Sequence, residues 1–306
     1  MFVPMKSWRL LAFGTVALLL LSVLVWRLIV HRQEGKKSTQ ATTSTDTEGM
    51  AQAHYTRGQR YFEKKQYKEA IDAFTQAIGL KSNYALAYTD RGRAYIRLGQ
   101  NDRKMEDYEH AEENYWRAMG DWDHAIEDFN HVLQLDPNSD YAYACRGDAY
   151  FYKGEHDRAV ESYDQALKIN PNDATVYVSR GVAYDYLVQH DRAIQDFNQA
   201  LKIDPNYRDA YLERGVTYAH KGQYDRAIQD YNHVLKINPN DANAYSDRAG
   251  AYEAKGEDSP SPEQAKLFYR RAIQDYDRAL KIDPHLINTP DLRAVTLARL
   301  KMLMLN

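Results

Sequence analysis

A single cysteine, Cys145, stands in the 306 residues. No internal disulfide can form, and Cys145 reads as a small helix residue rather than a reactive thiol. Net charge is close to zero, at −3 with 27% charged residues. The basic footprint that nucleic acid requires is missing, so no nucleic-acid partner is expected. Catalytic signatures are missing too: no GxSxG, no phosphate-binding GxxxxGK(S/T), no HExxH and no paired CxxC. His124 and His131 lie seven apart on one expected helix, without a third ligand. Acidic residues such as Asp191, Asp196, Asp225 and Asp230 recur at a fixed interval, whereas a catalytic pair is not written in tandem. We expect no enzyme, no metal and no cofactor.

Long apolar runs are also scarce, with one exception. Residues 10–30 (LLAFGTVALLLLSVLVWRLIV) carry one charge, Arg27, near one end. As a helix they suffice to cross about 30 Å of hydrocarbon, and Arg27 can reach the interface. Residues 1–9 form a short tail and residues 31–50 a polar, Thr- and Ser-rich flexible linker. The basic residues flanking the span, Lys6 and Arg9 before it and Arg27, Arg32, Lys36 and Lys37 after it, leave its orientation open. A single-pass N-terminal membrane anchor is the expectation.

What fills the remainder is repetition. DRAVESYDQALKINPN, DRAIQDFNQALKIDPN and DRAIQDYNHVLKINPN begin at Asp157, Asp191 and Asp225, 34 residues apart. Arg-Gly occurs at 57–58, 91–92, 146–147, 180–181 and 214–215, with Arg248-Ala249 an altered sixth copy. Each is followed by Tyr, then Ala, then an aromatic residue (Phe74, Phe129, Tyr163, Phe197, Tyr231, Tyr276), and every copy but the first closes near Pro. Spacings of three and four mark one face of a helix. Gly permits close helix approach, the aromatic residue fills the gap, and Pro stops the second helix. Each unit is a helical hairpin that cannot bury its apolar face without a neighbour.

This pattern resembles the tetratricopeptide repeat (TPR) family over roughly residues 51–284. The resemblance implies an all-α fold: a right-handed α-solenoid of six TPR hairpins plus a C-terminal capping helix, here preceded by one transmembrane helix. The units fall at 51–84, 85–139, 140–173, 174–207, 208–241 and 242–285, with the cap at 286–306. Two units are too long. Extra residues near 100–120 suggest an added helix projecting from the array edge, and those near 257–267 an early start to the last second helix, at Pro262 behind the N-cap Ser261. Asp128, Asp196, Asp230 and Asp275 precede the second-helix aromatic residue and suit pairing with the repeated arginines.

The resemblance also implies a concave groove lined by first helices. The matching positions nominate Tyr141, Phe151, Val178, Val182, Leu212 and Val216, with Tyr152 and Tyr186 one residue beyond them, an apolar and aromatic surface with scattered acid, suited to an amphipathic helix or extended apolar segment. Some family members clamp a C-terminal carboxylate with basic side chains. The matching residues here, Tyr55, Gln59, Asp90, Tyr141 and Cys145, include no basic one. A non-catalytic, membrane-tethered scaffold binding a protein or peptide partner is therefore expected. The alternative is an envelope assembly or export factor that holds client proteins transiently. The apolar end of the cap, LKMLML, leaves room for self-association.

Overall fold

A computed structural model describes residues 46–104, 111–286 and 288–305. Among these residues the chain forms thirteen helices and no strand. No helix among them is long and apolar enough to cross a membrane. The span expected over residues 10–30 lies outside the described residues. The described residues divide into two compact units, one up to Ala87 and the other from Tyr88 onward.

The first unit holds α1 (46–63) and α2 (Tyr67–Leu80). α1 includes residues 46–50, which were expected to be linker. Lys81 Nζ donates to Glu48 Oε1 at 2.6 Å. The fully buried Phe74 ring lies against Gly58, where a Cβ would fall 2.5 Å from it.

The second unit carries α3 (Ala85–Lys104) from Tyr88 onward, then α4 (Ala111–Leu135), α5 (Asp140–Lys153), α6 (His156–Ile169), α7 (Ala174–Tyr186) and α8 (His190–Ile203). It continues with α9 (Arg208–His220), α10 (Tyr224–Ile237), α11 (Ala242–Glu257), α12 (Pro262–Ile282) and α13 (Thr289–Leu305). The residue after each Pro-Asn pair starts the next hairpin. Asp173 accepts from Thr175 N at 2.9 Å and Asp241 from Ala244 N at 3.0 Å. Such caps satisfy amides left without a partner in the first turn. Within hairpins the corner needs a left-handed residue. Gly154 (φ 87°) and Gly222 (φ 69°) supply it in two, and Val188 (φ 60°) in the hairpin between them.

The same glycine–aromatic approach seen in the first unit recurs at Gly92–Phe129, Gly147–Tyr163, Gly181–Phe197 and Gly215–Tyr231. A Cβ at any of these glycines would come within 2.5–2.9 Å of the ring. Two additional approaches mark the long hairpins: Gly99 with Trp122, and Gly256 with Tyr269. Each sits seven residues further along than the hairpin's first contact, two turns outward on both helices. The described extra residues of the second repeat, 100–104 and 111–120, therefore lengthen α3 and α4, where a separate projecting helix was expected. In the sixth repeat α12 does begin at Pro262, with Ser261 Oγ accepting from Gln264 N at 3.3 Å.

The repeated arginines tie the stack. All four expected pairs form: Arg91–Asp128, Arg180–Asp196, Arg214–Asp230 and Arg248–Asp275, each at 2.7 Å and each through two parallel contacts. The aspartates are buried or nearly so, unlike exposed surface pairs. Arg180, Arg214 and Arg248 also reach back to the preceding hairpin, donating to Asp164 (2.6 Å), Asn198 (2.5 Å) and Asn232 (2.5 Å). One guanidinium thus joins its own second helix and the previous one. Arg146 follows the same route through neutral partners, Ser162 at 3.3 Å and Asn130 at 2.8 Å.

α13 packs on α12 and continues this arithmetic. Arg293 pairs with Asp277, the position the next repeat's arginine would engage. Arg299 reaches Glu253 at 2.5 Å and also contacts Glu257. α13 therefore stands as a seventh first helix. Thr296 and Leu300 are buried, while Met302, Met304 and Leu305 are exposed.

Candidate partner-binding site

In the second unit the first helices α5, α7, α9 and α11 touch one another in succession, so their side chains share one continuous face. The repeat dictates this, because each hairpin presents its first helix on the same side of the stack.

The eight nominated residues divide on this face. Tyr141 is half-exposed and Tyr186 more exposed still. Phe151 and Tyr152 are partly buried. Phe151 packs edge-on to Tyr186 at 5.2 Å between ring centres, and Tyr152 stacks on Trp122 at 6.2 Å. Val182, Leu212 and Val216 are partly buried against the core. Val178 is a correction. It is 8% exposed and belongs to the core around Phe197, so it packs between hairpins and offers a partner nothing.

Tyr141 and Tyr152 meet in a cleft of about 320 Å³, with Ala144, Asp148 and Thr175 on its walls and Arg93 and Arg97 at one side. Asp148 accepts from the Tyr163 hydroxyl at 2.8 Å. Burial pushes its carboxyl up to about 6 despite that bond. Burial, followed by the nearby Asp148 charge, holds the Cys145 thiol up at about 12. Cys145 is therefore a packing residue.

Further along the same face the acid is denser. Glu213 on α9 lies among Asp247, Asp209 and Asp185. Burial first, then those neighbouring charges, push its carboxyl up to about 7. Burial raises Asp247 on α11 to about 6. Among the described residues neither Glu213 nor Asp247 has a hydrogen-bond or ion-pair partner. The neighbouring Arg208 is engaged by Asp209 (2.6 Å) and Asp241 (2.5 Å). Sequence reasoning noted scattered acid but passed over Glu213 and Asp247, which occupy the sixth position of their repeats.

The two histidines weighed earlier serve as aromatic neighbours. His131 stacks on Tyr88 and His124 packs on Tyr95, each at 5.1 Å. A second, wider hollow of about 720 Å³ lies at the hairpin corners, lined by Tyr224, Lys255, Pro260 and Phe268. It owes its wall to the early start of α12.

Models of the TPR repeat match residues 58–99, 114–151 and 147–185. Models of the tetratricopeptide repeat match 174–207 and 209–241, and 85–115. The chain belongs to the tetratricopeptide repeat family. Among curated TPR relatives, serine/threonine-protein phosphatase 5 of Mus musculus is 32% identical over 124 residues, 34% of this chain and 25% of its own. Translocon at the outer membrane of chloroplasts 64, from Pisum sativum, is 30% identical over 116 residues, 34% of this chain and 19% of its own. The chain thus spans a quarter or less of these relatives. In the solved APC/C hetero-tetramer Cut9-Hcn1, one chain superposes with a TM-score of 0.59 at 20% identity. The superposition covers 86% of this chain and 47% of that one. This likeness is one of fold.

Proposed function

We propose that the protein is a non-catalytic TPR scaffold, tethered to a membrane through residues 10–30, whose first-helix face binds a segment of another protein. The observation that carries the reading is the combination of the Tyr141–Tyr152 cleft with the unpartnered carboxylates of Glu213 and Asp247. A partly buried carboxylate with no cation is costly, and a basic group arriving from outside removes that cost. The partner segment is accordingly amphipathic, with an aromatic or aliphatic anchor for the cleft and Lys or Arg facing α9 and α11. This makes the segment more basic than the apolar one expected from sequence.

A displayed peptide library tests the reading. Selected binders should combine an apolar anchor with basic residues. Their affinity should fall with Tyr152→Ala and with the pair Glu213→Gln and Asp247→Asn. Photocrosslinking from position 186 should capture such a peptide, and crosslinking from Lys168 on the second helix α6 should not. Binders unaffected by all these changes count against the groove. The tether is checked separately: the full chain should resist carbonate extraction from membranes, and a chain starting at residue 46 should not.

A further inference from the structure

Asp185 closes the last turn of α7, His190 opens α8 and His220 ends α9. Three helices from two repeats thus deliver one carboxylate and two imidazoles to a single junction. His190 Nδ1 lies 2.8 Å from Asp185 Oδ1, and His220 Nδ1 lies 2.8 Å from Asp185 Oδ2. One carboxylate is shared by two rings whose centres are 6.0 Å apart. One ligand atom from each residue falls within 4.8 Å of the others.

The repeat itself does not demand this trio. Thirty-four residues earlier the same three positions hold Phe151, His156 and Tyr186. There the rings pack together, with Phe151–His156 at 5.1 Å and His156–Tyr186 at 4.9 Å. Thirty-four residues later they hold Ala219, Tyr224 and Ala254. Of these three junctions, only the one between the fourth and fifth repeats holds three residues that can all donate to a metal.

We propose that Asp185, His190 and His220 form a binding site for a divalent transition-metal ion of the zinc class, which bridges the fourth and fifth repeats. Imidazole with carboxylate suits Zn2+, Ni2+ and Cu2+. Bonds of about 2.0–2.2 Å at tetrahedral angles place ligand atoms roughly 3.3 Å apart. Reaching that spacing asks for a small inward movement. His220 can make it, since its side chain is 53% exposed and it ends its helix. The metal takes the place of the two ring–carboxylate hydrogen bonds. A ring protonated only on Nδ1 moves that proton to Nε2 through solvent, and a doubly protonated ring releases its Nδ1 proton to solvent, so each ring binds the metal as a neutral imidazole. Three protein ligands leave a fourth position for water or for a partner's side chain. Lys221 beside the site is paired with Asp191, which offsets its repulsion of a cation.

The test uses the full chain in detergent, stripped of metal by chelation, with Zn2+ as the probe. Native mass spectrometry should report one ion per chain, and Zn2+ at about a hundred times Kd should raise the unfolding midpoint. His220→Ala, at an exposed position, and Asp185→Asn should each weaken binding by at least about tenfold. His233→Ala, a histidine outside the trio that stacks on Tyr211, should leave binding unchanged. Co2+ should show tetrahedral visible absorption in the native chain and lose it in His220→Ala. Absence of bound Zn2+, or binding that survives both His220→Ala and Asp185→Asn, overturns the site. The peptide-binding reading is independent of either result.

Discussion

The Arg180 guanidinium grips the Asp196 carboxylate through two parallel contacts of 2.7 Å, with both groups largely shielded from water. Removing the arginine alone strands a buried charge. Arg180→Ala should therefore cost about 3–5 kcal/mol. Arg146→Ala should cost less, about 1–2 kcal/mol, because its partners Ser162 and Asn130 are neutral. Urea unfolding of both variants checks the order. Equal losses would show that the charge on Asp196 is not what the arginine serves.

The close approaches predict opposite signs for one chemical change. Gly181→Ala places a methyl 2.7 Å from the fully buried Phe197 ring, and should destabilise by about 1–3 kcal/mol. Gly120→Ala meets no atom within 4 Å in α4 and should stabilise by about 0.5–1 kcal/mol. Thermal melts distinguish the two outcomes.

Val188 holds a left-handed corner with a β-branched side chain, at φ 60°, and it is 73% exposed. Its neighbours in the array use Gly at this corner. Val188→Gly should raise stability by about 0.5–1 kcal/mol, since relief of the left-handed strain exceeds the entropy glycine adds to the unfolded chain. A lowered melting midpoint would mean the side chain packs usefully.

Glu213 has a pH signature. Its folded carboxyl titrates near 7, above the ordinary 4.5, so the folded state binds the extra proton. Stability from this group is present below the unfolded value and is lost as pH rises from about 4.5 to 7. Glu213→Gln should leave stability nearly unchanged at pH 5 and raise it by about 1–3 kcal/mol at pH 8. Asp148 and Asp247, near 6, act in the same direction, so the difference between variant and native chain is the measured quantity.

Cys145 supplies a simple control on packing. Burial holds its thiol protonated across the physiological range. Alkylation by iodoacetamide at pH 8 should be slow in the native chain and rapid in urea. Fast native labelling would contradict the burial of this helix face.

Most of the fold was legible because it rests on short-range periodicity. Gly181 and Phe197, or Arg180 and Asp196, lie 16 residues apart, as do their counterparts in the fifth repeat, and one hairpin brings them together. The seven-residue echo Gly99–Trp122 was also written in the chain. It was hidden because the 34-residue count breaks there, and an extended hairpin and an extra helix have similar composition. α13 was expected as the capping helix; its likeness to a first helix hid because Ala294 stands where the first five copies carry Gly after the arginine. Site residues were less legible. Val178 occupies a nominal groove position, yet it packs in the core around Phe197. The Asp185, His190 and His220 trio spans three helices, with separations of five and thirty residues, so no local motif announces it. Only the stacking of one hairpin on the next brings His220 to Asp185.

The two-way reach of the arginines has a mechanical consequence. Arg180, Arg214 and Arg248 each fasten a hairpin to itself and to the one before, so neighbouring fastenings overlap along the chain like shingles. Tension applied along the second unit cannot peel one hairpin away without loosening the clamp of the next. We expect such pulling to produce fewer, larger rupture steps than there are hairpins. A separate step for every hairpin in a force-extension trace would rule this out.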